Sequence, residues 1–179
     1  MTRNNKVTLC GMVTALSAVL MLLTGVFPMM DFALPAMAGV LLISVVVELG
    51  RKWAVLCWLA VSLISFFIAP LKDSALFYFV LLGHYPILKS MIEGLRRPVL
   101  EWVLKLGTLN LTASLGLAAV VWLFRMEAYM GVLEAAPLVF IGGFLLLNAV
   151  FVVYDIALTR LVSAYLGFFR PRYISKILR

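Results

Sequence analysis

Three polar side chains interrupt long apolar runs: His84, Asn110 and Asn148. An imidazole titrates near neutral pH and can hold or sense a proton. A carboxamide carries two N–H donors and a carbonyl acceptor, which suits it to reading the edge of a small polar molecule. Beside Asn110, Ser114 adds a hydroxyl on the face that Gly107, Asn110 and Ser114 share at helical spacing; beyond Asn148, Val152, Asp155 and Thr159 continue a second such face. His84 is the only histidine, and no carboxylate stands at its level, which argues against a proton relay. The spacing places Asp155 level with Lys105 and Lys89, so an ion pair is expected there, because a buried charge needs a partner. Glu48, Glu93 and Glu101 stand beside Arg51, Arg97 and Lys105 and read as interface charges rather than catalysts.

No nucleophile–base pair, no pair of carboxylates in a pocket and no glycine-rich phosphate loop of the GxxxxGK[ST] type occurs. An enzyme is therefore not expected, nor is a cofactor, and ATP hydrolysis through such a loop is excluded. Cys10 and Cys57, the two cysteines, fall inside apolar runs and read as small packing residues, poor candidates for a disulfide. With one histidine there is no zinc spacing, and no metal site is expected.

The elements that must position these groups follow from composition. The chain of 179 residues is 65% hydrophobic and 13% charged, with a mean hydropathy of +1.12. Soluble domains are about half apolar and a quarter charged. A chain this size cannot bury so much apolar surface in its own core, so lipid must cover it. Six stretches approach the roughly 20 residues that a spanning helix needs: Val7–Phe27, Phe32–Leu49, Trp53–Ala69, Ser74–Ile92, Val99–Phe124 and Leu138–Leu166. Pro28 and Pro70 close two of them, and Pro98 and Pro137 open two others in first-turn positions. The runs do not alternate polar and apolar residues, which excludes a membrane β-barrel. The expectation is an all-α, polytopic membrane protein, a single six-helix domain over residues 1–179. Val7–Phe27, at about 21 residues, exceeds the roughly 7–15 of a signal-peptide core and is expected to stay as a helix.

Depth can then be counted. At about 1.5 Å per residue, His84, Asn110 and Asn148 each lie roughly 15 Å from the starts of their helices. That is the midplane of a hydrocarbon layer about 30 Å thick. Polar groups so deep are costly and need a reason. One is a substrate pocket between the fourth, fifth and sixth helices, formed by His84, Asn110, Ser114 and Asn148. The other is hydrogen bonding between helices, with Asn and His as packing contacts. Tyr85-Pro86 directly follows His84, and a proline at that place kinks a helix and can open a cavity.

Orientation follows from the basic residues. With the N-terminus inside, only Lys72 and Arg125 of the 15 Lys and Arg fall on the outer side. The net charge of +7 is thereby explained by topology and anionic headgroups, not by nucleic acid. The expected location is a bacterial cytoplasmic membrane, crossed several times, with both ends inside. The connection Arg125–Pro137, with Glu127, Tyr129 and Glu134, is expected at the interface, and the basic tail Arg170–Arg179 on the inner leaflet.

The first helix carries Gly11, Ala15 and Ala18 on one smooth face, of the kind that lets another helix approach closely. With this segment, Gly11-Met12-Val13-Thr14-Ala15-Leu16-Ser17-Ala18, the chain resembles the substrate-binding S components of energy-coupling-factor transporters. Size, six helices with both ends inside and the near absence of a soluble part carry the rest of the resemblance. S components typically carry an alanine-x-x-x-alanine pattern in the first helix, which docks on a transmembrane coupling subunit. Ala15 matches its second position, and Gly11 stands for the first alanine, keeping the face small. The resemblance implies a vitamin-like substrate taken from outside, with His84, Asn110 and Asn148 at the floor of its pocket. It also implies a coupling subunit and ATPases as partners. A nickel or cobalt substrate is disfavoured, since N-terminal histidine ligands are missing. The competing expectation is a small six-helix scaffold of the cell envelope. The acidic and proline motif of the rod-shape-determining membrane family is not seen early in the chain.

Overall fold

The computed structural model describes residues 3–95, 97–124 and 137–168. Among them every regular element is helical. In hydrocarbon no water satisfies an open N–H or C=O, and the helix is the element that satisfies its own. The helices are α1 (Arg3–Leu23), α2 (Ala33–Leu49), α3 (Arg51–Ile68), α4 (Lys72–Phe77), α5 (Tyr85–Ile92), α6 (Pro98–Phe124) and α7 (Pro137–Ala164). The stretches Arg3–Leu23, Arg51–Ile68, Lys72–Leu95 and Ile141–Phe168 are long and apolar enough to cross a membrane, and α2 is a shorter apolar helix. The protein is thus all-helical and built for a membrane. Arg96, the connection from Arg125 as far as Ala136 and the tail Arg170–Arg179 lie outside the described residues.

The described residues form two compact units. One runs to Leu95 and takes in the chain again from Leu158; the other ends at Ala157. In the first unit α1, α2 and α3 pack around Val13, Met21, Leu42, Val45, Cys57 and Val61. Small and polar residues face inward: Ser17, Ala38 and Ser74 are fully buried, and the Ser17 hydroxyl donates to the Ala38 carbonyl at 3.4 Å. Large ones face outward, with Met12, Leu56, Leu63 and Phe67 all exposed. This is the distribution of helices that gain nothing by hiding a leucine from lipid and gain close contact by meeting through small residues.

The breaks between helices each have a local cause. α2 turns into α3 at Gly50, whose N–H still reaches the Val45 carbonyl at 3.1 Å. Its φ of 87° and ψ of 173° lie where a side chain clashes with the backbone. α3 stops at Ala69, whose extended backbone is the one a following proline imposes. The ammonium of Lys72 then donates to the Phe66 and Ala69 carbonyls at 2.8 and 3.2 Å, closing the open end of α3.

The stretch expected as one helix, Ser74–Ile92, is interrupted. After α4 the backbone widens into a π-helical turn at Tyr78–Leu82, and α5 begins at Tyr85 with Pro86 in its first turn. There the missing N–H of proline leaves no acceptor unserved. Gly83 permits the turn: a Cβ on it would stand 2.7 Å from Trp58 and 2.8 Å from Tyr78. α1 also differs from its expected bounds, starting at Arg3 and ending at Leu23. Beyond it Thr24 turns its hydroxyl onto the Met21 carbonyl at 2.7 Å ahead of Gly25 and Pro28.

Gly50→Ala is expected to destabilise the protein by about 1–3 kcal/mol, the usual cost of a side chain in that backbone region. Gly11→Ala, where an added Cβ meets nothing within 4 Å, is expected to leave stability unchanged or slightly raised. Thermal unfolding in detergent distinguishes the two.

Candidate functional site

In the second unit α6 and α7 meet through polar side chains. Lys105 Nζ lies 3.0 Å from Asp155 Oδ2, with both side chains about 95% buried. The same ammonium sits 5.5 Å from the ring centroid of Trp102. Further along α6, Asn110 Oδ1 accepts a hydrogen bond of 3.0 Å from Asn148 Nδ2. The early residue of α6 meets the late residue of α7 and the reverse, so the two helices run antiparallel in this register. The ion pair expected at Asp155 is therefore formed with Lys105. Lys89, in the first unit, holds Glu93 at 2.7 Å and donates to the Thr159 hydroxyl at 2.8 Å.

The amide pair is chemically incomplete. Asn148 Nδ2 gives its other hydrogen to the Phe144 carbonyl at 2.8 Å. The NH2 group of Asn110 and the carbonyl oxygen of Asn148 have no partner among the described residues, and both side chains are only half-buried. Ser114, one turn beyond Asn110, is exposed.

His84 belongs to the first unit and has its own surroundings. Its ring centre lies 5.9 Å from that of Trp58, which stacks on Phe79 at 5.2 Å with the planes 5° apart. His84 Nδ1 and Trp58 Nε1 are both buried with no hydrogen-bond partner among the described residues. Of the four residues expected to line a pocket, the structure joins Asn110 to Asn148, leaves Ser114 beside them and seats His84 against an aromatic group. Trp58 was not singled out from the sequence, since its distance from His84 along the chain gives no signal of contact.

On α1 the inward face is Val13, Ser17 and Met21, so the small residues are not consumed by packing there. Gly11 and Ala15 are exposed, while Ala18 is half-buried. Gly11 and Ala15 line a groove of about 480 Å³ whose other wall is Trp53, Leu56 and Ala60 of α3. Cys10 and Cys57 both line this groove, and both thiols are free. Among the described residues no cluster of three or more His, Cys, Asp or Glu could hold a metal ion.

No protein family, no curated protein and no solved structure matches this chain.

Removing one member of a buried ion pair leaves the other charge stranded, at a cost of about 3–5 kcal/mol, whereas an apolar pair of similar volume is near neutral. Lys105→Met and Asp155→Leu are each expected to lower thermal stability sharply, and the double substitution to recover most of the loss. If the double variant is as unstable as the sum of the singles, the pair is not the contact that holds α6 to α7.

Proposed function

We propose that this chain is the membrane-embedded, substrate-binding subunit of an energy-coupling-factor-type transporter for a small vitamin-like molecule. It crosses a bacterial cytoplasmic membrane six times, with both ends inside. The observation that carries the binding role is the open edge of the Asn110–Asn148 pair. The Asn110 NH2 and the Asn148 carbonyl, left unused among the described residues, suit a neutral ligand that offers both an acceptor and a donor, as a ring amide or a ureido group does. The apolar walls of α6 and α7 suit the rest of such a ring. Ser114 extends the polar edge along α6.

The exposed Gly11–Ala15 face supports docking on a coupling subunit, because helices approach closely where side chains are small. Ala18 continues it. ATPases joined to that subunit supply the energy, since the chain has no phosphate-binding loop of its own. The cation bias supports the orientation. Lys72, one of the two cations this places outside, is engaged in closing α3.

A second reading, a six-helix scaffold without a ligand, is favoured by one observation. Asn148 spends both N–H groups on the chain's own Asn110 and Phe144, as a purely structural seam would.

Native mass spectrometry of the protein purified in mild detergent separates the two. A retained small molecule is expected, and Asn110→Leu or Asn148→Leu is expected to weaken its binding by about 1–3 kcal/mol, or roughly ten- to a hundredfold, while the protein still folds. A protein that never carries a ligand and captures membrane partners without any ATPase among them supports the scaffold. Ala15→Trp is expected to abolish copurification with the coupling module; an intact complex would sink the docking role. A C-terminal fluorescent-protein fusion is expected to fluoresce and a C-terminal alkaline phosphatase fusion to be inactive, and the reverse pattern would overturn the orientation.

A further inference from the structure

The groove between α1 and α3 has two different ends. It begins near the starts of both helices, at Val7 and Trp53. Beyond their last turns the chains meet again, where a Cβ on Gly25 would stand 2.5 Å from the ring of Pro70. α1 and α3 therefore run in the same direction, with both starts at one end of the groove. On α1 the wall residues Val7, Cys10, Gly11, Thr14 and Ala15 form one helical stripe. One turn before Val7 and Cys10 that stripe carries Arg3 and Lys6, and one turn before Leu56 the α3 wall carries Lys52. Arg3 and Lys52 are exposed, and Lys6 is half-buried. The neighbouring Arg51 is engaged on α5, donating to the Ser90 hydroxyl at 3.2 Å and the Ser90 carbonyl at 2.7 Å. No Asp or Glu lines the groove, and Glu48, the acid nearest to Lys52 along the chain, has its Oε1 buried. Past the cations the walls are small or apolar. From Trp53 to Ile64 they run for about 16 Å, close to the depth of one leaflet, half of a hydrocarbon layer about 30 Å thick.

We propose that this groove seats an anionic phospholipid from the leaflet on the N-terminal side of α1. One acyl chain lies along Val7, Gly11, Leu56 and Ala60, and the phosphate is held by Lys6 and Lys52, with Arg3 at its margin. Cations at one end and an apolar trough beyond them complement a molecule that is charged at one end and hydrocarbon for the rest. The length of the trough is that of a chain confined to one leaflet. Lysine stems lie along apolar surface while their ammonium groups stay at the level of the headgroups, where they attract negative charge. Trp53, half-buried at the same end, is the aromatic ring expected at that level. A choline lipid offers the same chain but sets its own cation beside Lys6 and Lys52, so the site selects against it. The walls include Gly11 and Ala15, so a seated lipid and a docked helix exclude each other. The inference needs only the groove and a membrane around it, and it stands apart from the transporter reading.

The test offers the full-length protein, in mild detergent, equal amounts of phosphatidylglycerol and phosphatidylcholine with the same acyl chains, and weighs the complexes by native mass spectrometry. One phosphatidylglycerol per monomer is expected, retained in preference to phosphatidylcholine. Lys6→Gln and Lys52→Gln are each expected to lower that preference roughly fivefold, the contribution of one cation near an anionic headgroup, and the double variant roughly twenty-five-fold. Arg160→Gln removes the same charge outside the groove and is expected to leave the preference unchanged. Ala60→Trp fills the groove without altering its charges and is expected to lower retention of both lipids. Equal retention of the two lipids by the wild type, or a double variant that keeps the wild-type preference, overturns the proposal. So does a dimer that forms in place of the lipid complex. Thermal unfolding of each variant separates a lost site from a lost fold, and the wild-type comparison of the two lipids stands even if a variant fails to fold.

Discussion

Hydrocarbon offers no hydrogen-bond partner, and the fold follows from that constraint. A backbone group left open in lipid costs several kcal/mol, so the chain coils into helices wherever it crosses. The places where coiling stops are the places where the structure must find another partner. Gly50 keeps its N–H on Val45, Lys72 reaches back to Phe66 and Ala69, and Gly83 bonds to Tyr78 across the wide turn. Each break depends on a residue that suits it: a glycine at positive φ, a long cation after a proline, a glycine under an indole.

The same solvent inverts the usual interior. Leucines and phenylalanines gain little by leaving lipid, so the contacts between helices pass to serine, alanine, glycine and a few paired polar groups. Ser17 bonds to Ala38 across α1 and α2, Lys105 meets Asp155, and Lys89 is held by Glu93 and Thr159. Buried pairs of this kind add little net stability but punish any arrangement that separates them. They set register. The Asn110–Asn148 contact sits in the same seam as the Lys105–Asp155 pair.

Much of the fold was legible before the structure. Hydropathy and length alone identified the helices, because a bilayer demands apolar runs of a set length. Prolines marked the end of α3 and the starts of α6 and α7. The break in the fourth run was only half legible: Pro86 signalled a disturbance, but the turn is placed by Gly83 and by the indole of Trp58 above it, a contact between residues far apart in the chain. The candidate site was legible in one coordinate. Counting residues placed Asn110 and Asn148 at a common depth, and they do meet. Cys10 and Cys57 read as small packing residues, and the groove they share was not legible, since it depends on how α1 and α3 face each other.

Sequence by itself thus determined the class of molecule and the approximate place of its apolar helices, because these depend on lipid thickness and on a fixed rise per residue. It could not determine which way each helix turns about its own axis. A helix apolar on every side has no preferred face towards lipid, so rotation is decided by the neighbours it packs against. That rotation brought Cys10 and Cys57 to one groove, set His84 beside Trp58, left Gly11 and Ala15 open along that groove and faced Asn110 towards Asn148. Only the tertiary structure holds that information, because it resides in contacts between helices and in no one of them alone.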